Sequence, residues 1–201
     1  GKSKAGEMKY WTREQYEAFS KNIRKSATKL AFDMLFYTGM RSGELLALTP
    51  ADILPDKRIS INKNYAKVKG EELILIPKTA KSNRSIAIPD FLYDDIFDYI
   101  SKLGGIGKDD RIFYFTKSAL EKEIKRVAEK TGLPNIRVHD LRHSHASMLI
   151  DMGFDILEIS ERLGHESAKT TLDTYSHLYP EKDTKLAGAL NRLRRPDEEN
   201  A

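Results

Sequence analysis

Between Arg58 and Ile88 the spacing of apolar residues changes from the three-to-four of a helix to alternation, and this constrains the fold more than any other feature. The segments "RISIN", "ELILIP" and "RSIAIP" each alternate apolar with polar side chains, which places successive side chains on opposite faces of a half-buried strand. Polar loops join them, so three short strands in one small antiparallel sheet are predicted. On either side the helical period holds. Thr12 with Gln15 has the form of a capping box opening a helix through about Ile23. "SATKLAFDMLFYTGM" repeats apolar residues at helical spacing and stops at Gly39, Ser42 caps a short helix "GELLAL", and Thr49-Pro50 starts another turn. After Pro89, helices are predicted over 90–103, 117–131, 139–152, 155–163, 167–175 and 181–194, punctuated by Gly132-Leu133-Pro134, Gly153 and Gly164. The predicted class is α+β, mainly helical, with a three-stranded insert and no internal repeat.

The 201 residues, 40% hydrophobic and 32% charged, suffice for one good core. There is no cysteine, which excludes disulfides and thiolate chemistry and fits a cytoplasmic home. No apolar run of about eighteen residues and no signal peptide is present, so no membrane association is expected. A net charge of +4 and a pI near 9.0 permit a polyanionic partner without requiring one. Residues 1–8 form a short, polar stretch rich in small side chains, expected to be a linker or a cloning remnant.

Four stretches carry chemistry. In "RVHDLRHSHASMLIDMG", taken at about 100° per residue, Leu141, Met148, Leu149 and Met152 share one arc, expected to be the core face. His139, Arg142 and His143 fall together on the opposite side. Two histidines at this spacing resemble half of a zinc motif. Arg142 stands between them, however, and the general-base Glu is absent. A permanent cation repels a metal and attracts an oxyanion, so no metal is expected. The bland alternative is a solvated helix face. In "YTGMRSGELLAL", Arg41 stands beside a helix start whose free N–H groups favour a phosphate, and Glu44 can hold it by hydrogen bonding; a surface salt bridge is the alternative. "PKTAKSNRSIAIP" puts Lys78, Lys81 and Arg84 on a tight turn, from which a lysine can reach into a groove and protonate a leaving oxygen. Such turns are more often merely solvated. In "RLGHESAKTTLDTYSHLYP", His165 follows Gly164 and Tyr175 ends a helical stretch. A phenol is a poor nucleophile at its ordinary pKa near 10, and becomes useful where cations stabilise the transition state it creates.

Each stretch alone has a structural explanation; their order in one chain does not. Arginine, lysine, His-x-x-Arg, histidine and tyrosine in this succession resemble the tyrosine recombinases, or phage integrases. The matching segments are "TGMRSGELLAL", "PKTAKSNRSIAIP", "HDLRHSHAS", "RLGHES" and "TTLDTYSHL", running from Thr38 to Leu178. Their wording is most similar to integrases of Gram-positive phages and conjugative transposons. The resemblance implies the catalytic-domain fold of that family. It further implies that Arg41 and Arg142 bind the scissile phosphate, that Lys78 is the general acid with Lys81 its competitor, and that His139 is a base or phosphate ligand. His165 would donate a hydrogen bond to the phosphate, and Tyr175 would be the nucleophile. The interval from His165 to Tyr175 is one residue longer than in many relatives, which makes Tyr179 the rival. Glu44 and His143 would be supporting residues, Lys81 and Arg84 DNA-binding ones, and His145 is expected to pack inward.

The activity implied is cutting and rejoining of double-stranded DNA by transesterification through a 3′-phosphotyrosyl bond, without ATP, metal or other cofactor. A type IB topoisomerase uses the same residues and is the alternative enzyme; a DNA-binding module without activity is the alternative outside catalysis. On this reading residues 9–180 are the catalytic domain of a bacterial or phage-encoded recombinase, whose N-terminal core-binding and arm-binding domains do not fit ahead of Trp11. Residues 181–201 form a terminal helix and tail with Leu186, Leu190 and Leu193 on one stripe. The resemblance suggests that this helix is exchanged between protomers of a homotetramer, which the fragment alone need not form.

Overall fold

A computed structural model describes residues 8–76, 82–179, 187–188 and 190–191. The chain opens with α1 (Arg13–Ser20), where Thr12 Oγ1 accepts from the Gln15 N–H at 3.3 Å and Gln15 Oε1 accepts from the Thr12 N–H at 2.9 Å. This reciprocal cap satisfies two of the donors that a helix start leaves unpaired. Next comes α2 (Ser26–Thr38), the spine of the main core. Phe32, Met34, Leu35 and Phe36 are all buried, and Phe36 stacks on Tyr16 at 3.8 Å between ring centroids. Gly39 ends α2 with φ 66°, a left-handed conformation that glycine adopts without a side-chain penalty. A Cβ there would also stand 2.5 Å from the His145 ring. The helix α3 (Ser42–Ala47) follows at once.

The strands depart in part from expectation. A three-stranded antiparallel sheet is present in the order β1 (Ile53–Leu54), β2 (Arg58–Ile61), β5 (Arg84–Ala87), with Ile59 opposite Ile86. The "ELIL" segment is not in it. It forms β4 (Glu71–Leu75), paired with β3 (Asn64–Val68) as a separate hairpin with Tyr65 opposite Ile74. Alternation marks a strand but does not name its partner, and β3 carries little of that pattern because only one of its side chains, Tyr65, is buried.

The remaining helices fall where the period placed them: α4 (Asp90–Lys102), α5 (Lys117–Thr131), α6 (Asp140–Asp151), α7 (Ile156–Leu163) and α8 (Ala168–Tyr175), closed by a 3₁₀ turn at Ser176–Leu178. A second, smaller apolar cluster joins Ala146, Ile150, Ile159, Leu163 and Tyr175 across α6, α7 and α8. The core face assigned to α6 requires correction. Met152 is 64% exposed, while Arg142 and His145 are buried along with Leu141, Ala146 and Ile150. The helix is enclosed on most sides by α2, α7 and α8, so its polar side chains go inward wherever hydrogen-bond partners meet them. Of the predicted 181–194 helix, only Ala187, Gly188, Leu190 and Asn191 are among the described residues; they are helical, and Leu190 is exposed. Among the described residues no helix is long and apolar enough to cross a membrane.

Candidate active site

The end of α2, the left-handed turn at Gly39 and the start of α3 set Arg41 in place. Its N–H donates to Glu44 Oε2 at 2.8 Å and its Nη1 to Glu44 Oε1 at 2.9 Å, while its side chain remains 38% exposed. Glu44 is buried and serves a second cation: Arg84 Nη1 donates to Oε1 at 3.1 Å and Nη2 to Oε2 at 2.9 Å. Burial would raise the Glu44 pKa, but the hydrogen bonds and charge of Arg84, with Arg41 behind them, hold it below the ordinary value. Arg84 therefore does not project from a basic turn as expected. Its side chain is 8% exposed, and its Nε donates to the Arg162 carbonyl at 2.9 Å. The buried carboxylate of Glu44, 40 residues earlier in α3, is what draws it inward.

From α6 come three histidines and an arginine. Arg142 is buried, donating from Nη1 to the Gly39 carbonyl at 2.8 Å and from Nη2 to the Leu163 carbonyl at 2.7 Å. Burial, then the positive charge of Arg41, lower its pKa to about 9, which leaves it a cation at neutral pH. His139 caps the helix start, and its ring lies 5.5 Å from that of His143, edge to face. Burial lowers the pKa of both, with His143 and Arg142 adding to the effect on His139. His145 packs inward, as its position around the helix suggested. Its Nδ1 is 2.8 Å from the Phe36 carbonyl and its Nε2 accepts from Arg162 Nε at 3.0 Å.

His165 follows Gly164, the left-handed end of α7 with φ 67°, and its Nδ1 lies 2.6 Å from Thr171 Oγ1. Burial first, then Arg142, Arg41 and Arg84, lower its pKa to about 4. Tyr175 ends α8 with 1% of its surface exposed, and its Oη is 2.8 Å from His143 Nδ1. Burial raises its pKa to about 12 against the opposing charge of Arg142. Tyr179 stands apart. Its hydroxyl donates to the Phe154 carbonyl at 3.3 Å, and after burial its charged neighbours are Asp155 and Glu158.

The fold thus gathers Arg41, Glu44, His139, Arg142, His143, His165 and Tyr175 from α3, α6, α7's end and α8. Lys78 and Lys81 lie outside the described residues. Among the described residues, no group of three or more His, Cys, Asp or Glu is placed to hold a metal ion. What the sequence did not disclose is Arg162, which binds His145, the Ala87 carbonyl at 3.1 Å and the Tyr37 carbonyl at 3.1 Å. No local signal distinguishes it from a surface arginine on an amphipathic helix.

Proteins of known type resemble this chain in fold and in sequence. The fold matches the integrase of transposon Tn1549, solved with circular intermediate DNA, at a TM-score of 0.79 with 21% identity, over 92% of this chain and 67% of that one. It also matches the catalytic domain of bacteriophage HP1 integrase at 0.65 with 23% identity, over 94% and 99% of the two chains. In sequence, the chain is 35% identical to the ICEBs1 integrase of Bacillus subtilis over 92% of its own length and 55% of the relative's. It is 32% identical to the integrase of Staphylococcus phage L54a, over 81% and 51%. The chain spans about half the length of these curated relatives. The model of the phage integrase family matches residues 9–182, nearly the whole described chain, and the protein belongs to that family.

Proposed function

We propose that this chain is the catalytic domain of a site-specific DNA recombinase that integrates or excises a mobile element, with Tyr175 as nucleophile. The observation that carries the reading is the setting of Tyr175: a phenol in contact with His143, in the field of the buried Arg142, with Arg41 and His165 beside that same arginine. Tyr179, near two carboxylates, is in the wrong field for an attack on a phosphate.

Double-stranded DNA is the substrate. Arg41 and Arg142 clasp the two non-bridging oxygens of the scissile phosphate, and His139 and His165 donate hydrogen bonds to them. The arrangement places positive charge where negative charge grows in the transition state. Glu44 holds Arg41, and with Arg84 it ties the start of α3 to β5. The phenolic oxygen bonds to phosphorus, the P–O5′ bond breaks, and the leaving oxygen takes a proton from Lys78, or from Lys81 if the turn sets that residue deeper. A 5′-hydroxyl from a partner duplex then attacks the phosphotyrosyl bond and releases the tyrosine. The ester conserves the bond energy, so neither ATP nor a metal enters. Assembly as a homotetramer on two sites, with the terminal helix passed between protomers, completes the reading, and a bacterial cytoplasm is its setting.

The test is covalent capture. A library of nicked duplexes with a randomised central segment is incubated with the protein, and the trapped adduct is sequenced and digested for mass spectrometry. The adduct is expected on Tyr175 through a 3′-phosphate, to be lost in Tyr175→Phe and to form unchanged in EDTA. An adduct on Tyr179, or none, overturns the assignment.

A further inference from the structure

We infer that His143 is the general base that takes the phenolic proton of Tyr175 as the tyrosine attacks. The inference rests on the reading of Tyr175 as the nucleophile and adds the group that activates it. His143 Nδ1 lies 2.8 Å from the phenolic oxygen, within direct proton-transfer distance. Among the described residues no other basic side chain hydrogen-bonds that oxygen. His139 stacks edge-on against His143, Nδ1 of His165 is engaged with Thr171, and both ring nitrogens of His145 are occupied by Phe36 and Arg162. His143 also follows Arg142 directly on one helix. The group that receives the proton and a group that holds the phosphate are therefore fixed relative to each other by a single peptide unit of α6.

The need for a base follows from the burial of Tyr175. With its pKa near 12, roughly one molecule in 10⁵ would carry a phenoxide unaided at neutral pH. Burial keeps the His143 imidazole neutral and able to accept, and Asp140, one turn earlier on α6, favours the imidazolium that forms while Arg142 and Arg137 oppose it. The cleft beside His143 is completed by Lys9, by Glu121 and Lys125 of α5, and by Asp173 and His177 around α8. The proton moves from Oη to Nδ1, the Oη–P bond forms, and the P–O5′ bond breaks with the leaving oxygen protonated by the lysine. In religation each step reverses: the incoming 5′-hydroxyl gives its proton to the lysine, and the imidazolium returns one to the departing phenol. The base form requires the tautomer with its proton on Nε2 and a lone pair on Nδ1.

Two measurements test this. In the protein alone, ¹⁵N-detected NMR of the histidine rings is expected to show Nδ1 of His143 unprotonated at pH 7.5, with its signal shifted by Tyr175→Phe. A protonated Nδ1 overturns the proposal. In single-turnover cleavage of the captured duplex at saturating protein, His143→Gln is expected to slow the chemical step by roughly 10²-fold or more with DNA affinity unchanged. The amide oxygen of Gln can hold the phenol but cannot take its proton. The defect should persist on a 5′-bridging phosphorothiolate, whose leaving sulfur needs no acid, whereas Lys78→Ala should recover there. Imidazole added to His143→Ala should restore part of the rate. Cleavage by His143→Gln at the parent rate, with the adduct still on Tyr175, overturns the base role and leaves the recombinase reading standing. Failure of the parent protein to capture any duplex overturns both.

Discussion

Arg162 Nε donates to Nε2 of His145 at 3.0 Å, and this pair braces the site from behind. The same guanidinium binds the carbonyls of Tyr37 and Ala87, and the Arg162 carbonyl accepts from Arg84. One side chain thereby connects α7 to the end of α2, to α6 and to β5. Those segments lead into Arg41, Arg142 and Arg84. Replacing Arg162 with Met should cost about 3 kcal/mol, because a buried histidine and two carbonyls lose charge-assisted partners. Urea unfolding checks this. Arg162→Lys should recover only part of the stability, since one ammonium cannot reach three acceptors in a plane.

The pair also makes stability depend on pH. Burial first, then the charge of Arg162, lower the His145 pKa to about 3, so the folded state holds a neutral ring. In the unfolded chain the pKa returns to about 6.5, and below that value the unfolded state binds the extra proton. Stability is then complete above pH 6.5 and declines as the pH falls toward 3. For His145 alone the loss between pH 7.5 and 5 should be about 2 kcal/mol. His165, with its pKa near 4, acts in the same direction. Urea midpoints measured across this range should fall with acid, and His145→Gln should flatten the slope even if it lowers stability throughout.

Glu44 stands between Arg41 and Arg84, and Glu44→Gln removes the carboxylate that both guanidiniums share. Leaving the buried Arg84 guanidinium against a neutral amide should destabilise the protein by about 3 kcal/mol. Cleavage should fall further than folding accounts for, because Arg41 is no longer held at the start of α3. Rates compared at a temperature where both proteins are fully folded separate the two effects. Glu44→Asp should lie between them.

Arg142→Lys should reduce cleavage by roughly 10²-fold or more, as the fork that binds the Gly39 and Leu163 carbonyls becomes a point charge. Single-turnover rates on the captured duplex measure this. Full activity in that variant would mean that charge alone suffices.

Deleting residues 183–201 should leave the fold intact and weaken assembly on DNA, as read by gel mobility of protein bound to paired sites. Leu186, Leu190 and Leu193 recur at helical spacing in the sequence, and Leu190 is exposed, so a neighbouring protomer could cover the stripe. An insoluble truncation would show instead that the helix belongs to its own domain.

The sequence by itself determined the helices and their ends, since capping pairs such as Thr12 with Gln15 and stops such as Gly39 and Gly164 act within one or two turns of chain. It also marked the candidate site residues, because motifs such as "HDLRH" keep their members together at one short helix. Only the tertiary structure decided what those residues face. "ELIL" alternates as well for one neighbour as for another, and its pairing with Asn64–Val68 rather than with "RISI" depends on the path of the chain. Arg84 turned inward because Glu44 waits some forty residues away, and His145 met Arg162 across a helix boundary. The contact between His143 and Tyr175 spans 32 residues and two helices. Hydrogen-bond partners at such separations are chosen by packing, which no local pattern encodes.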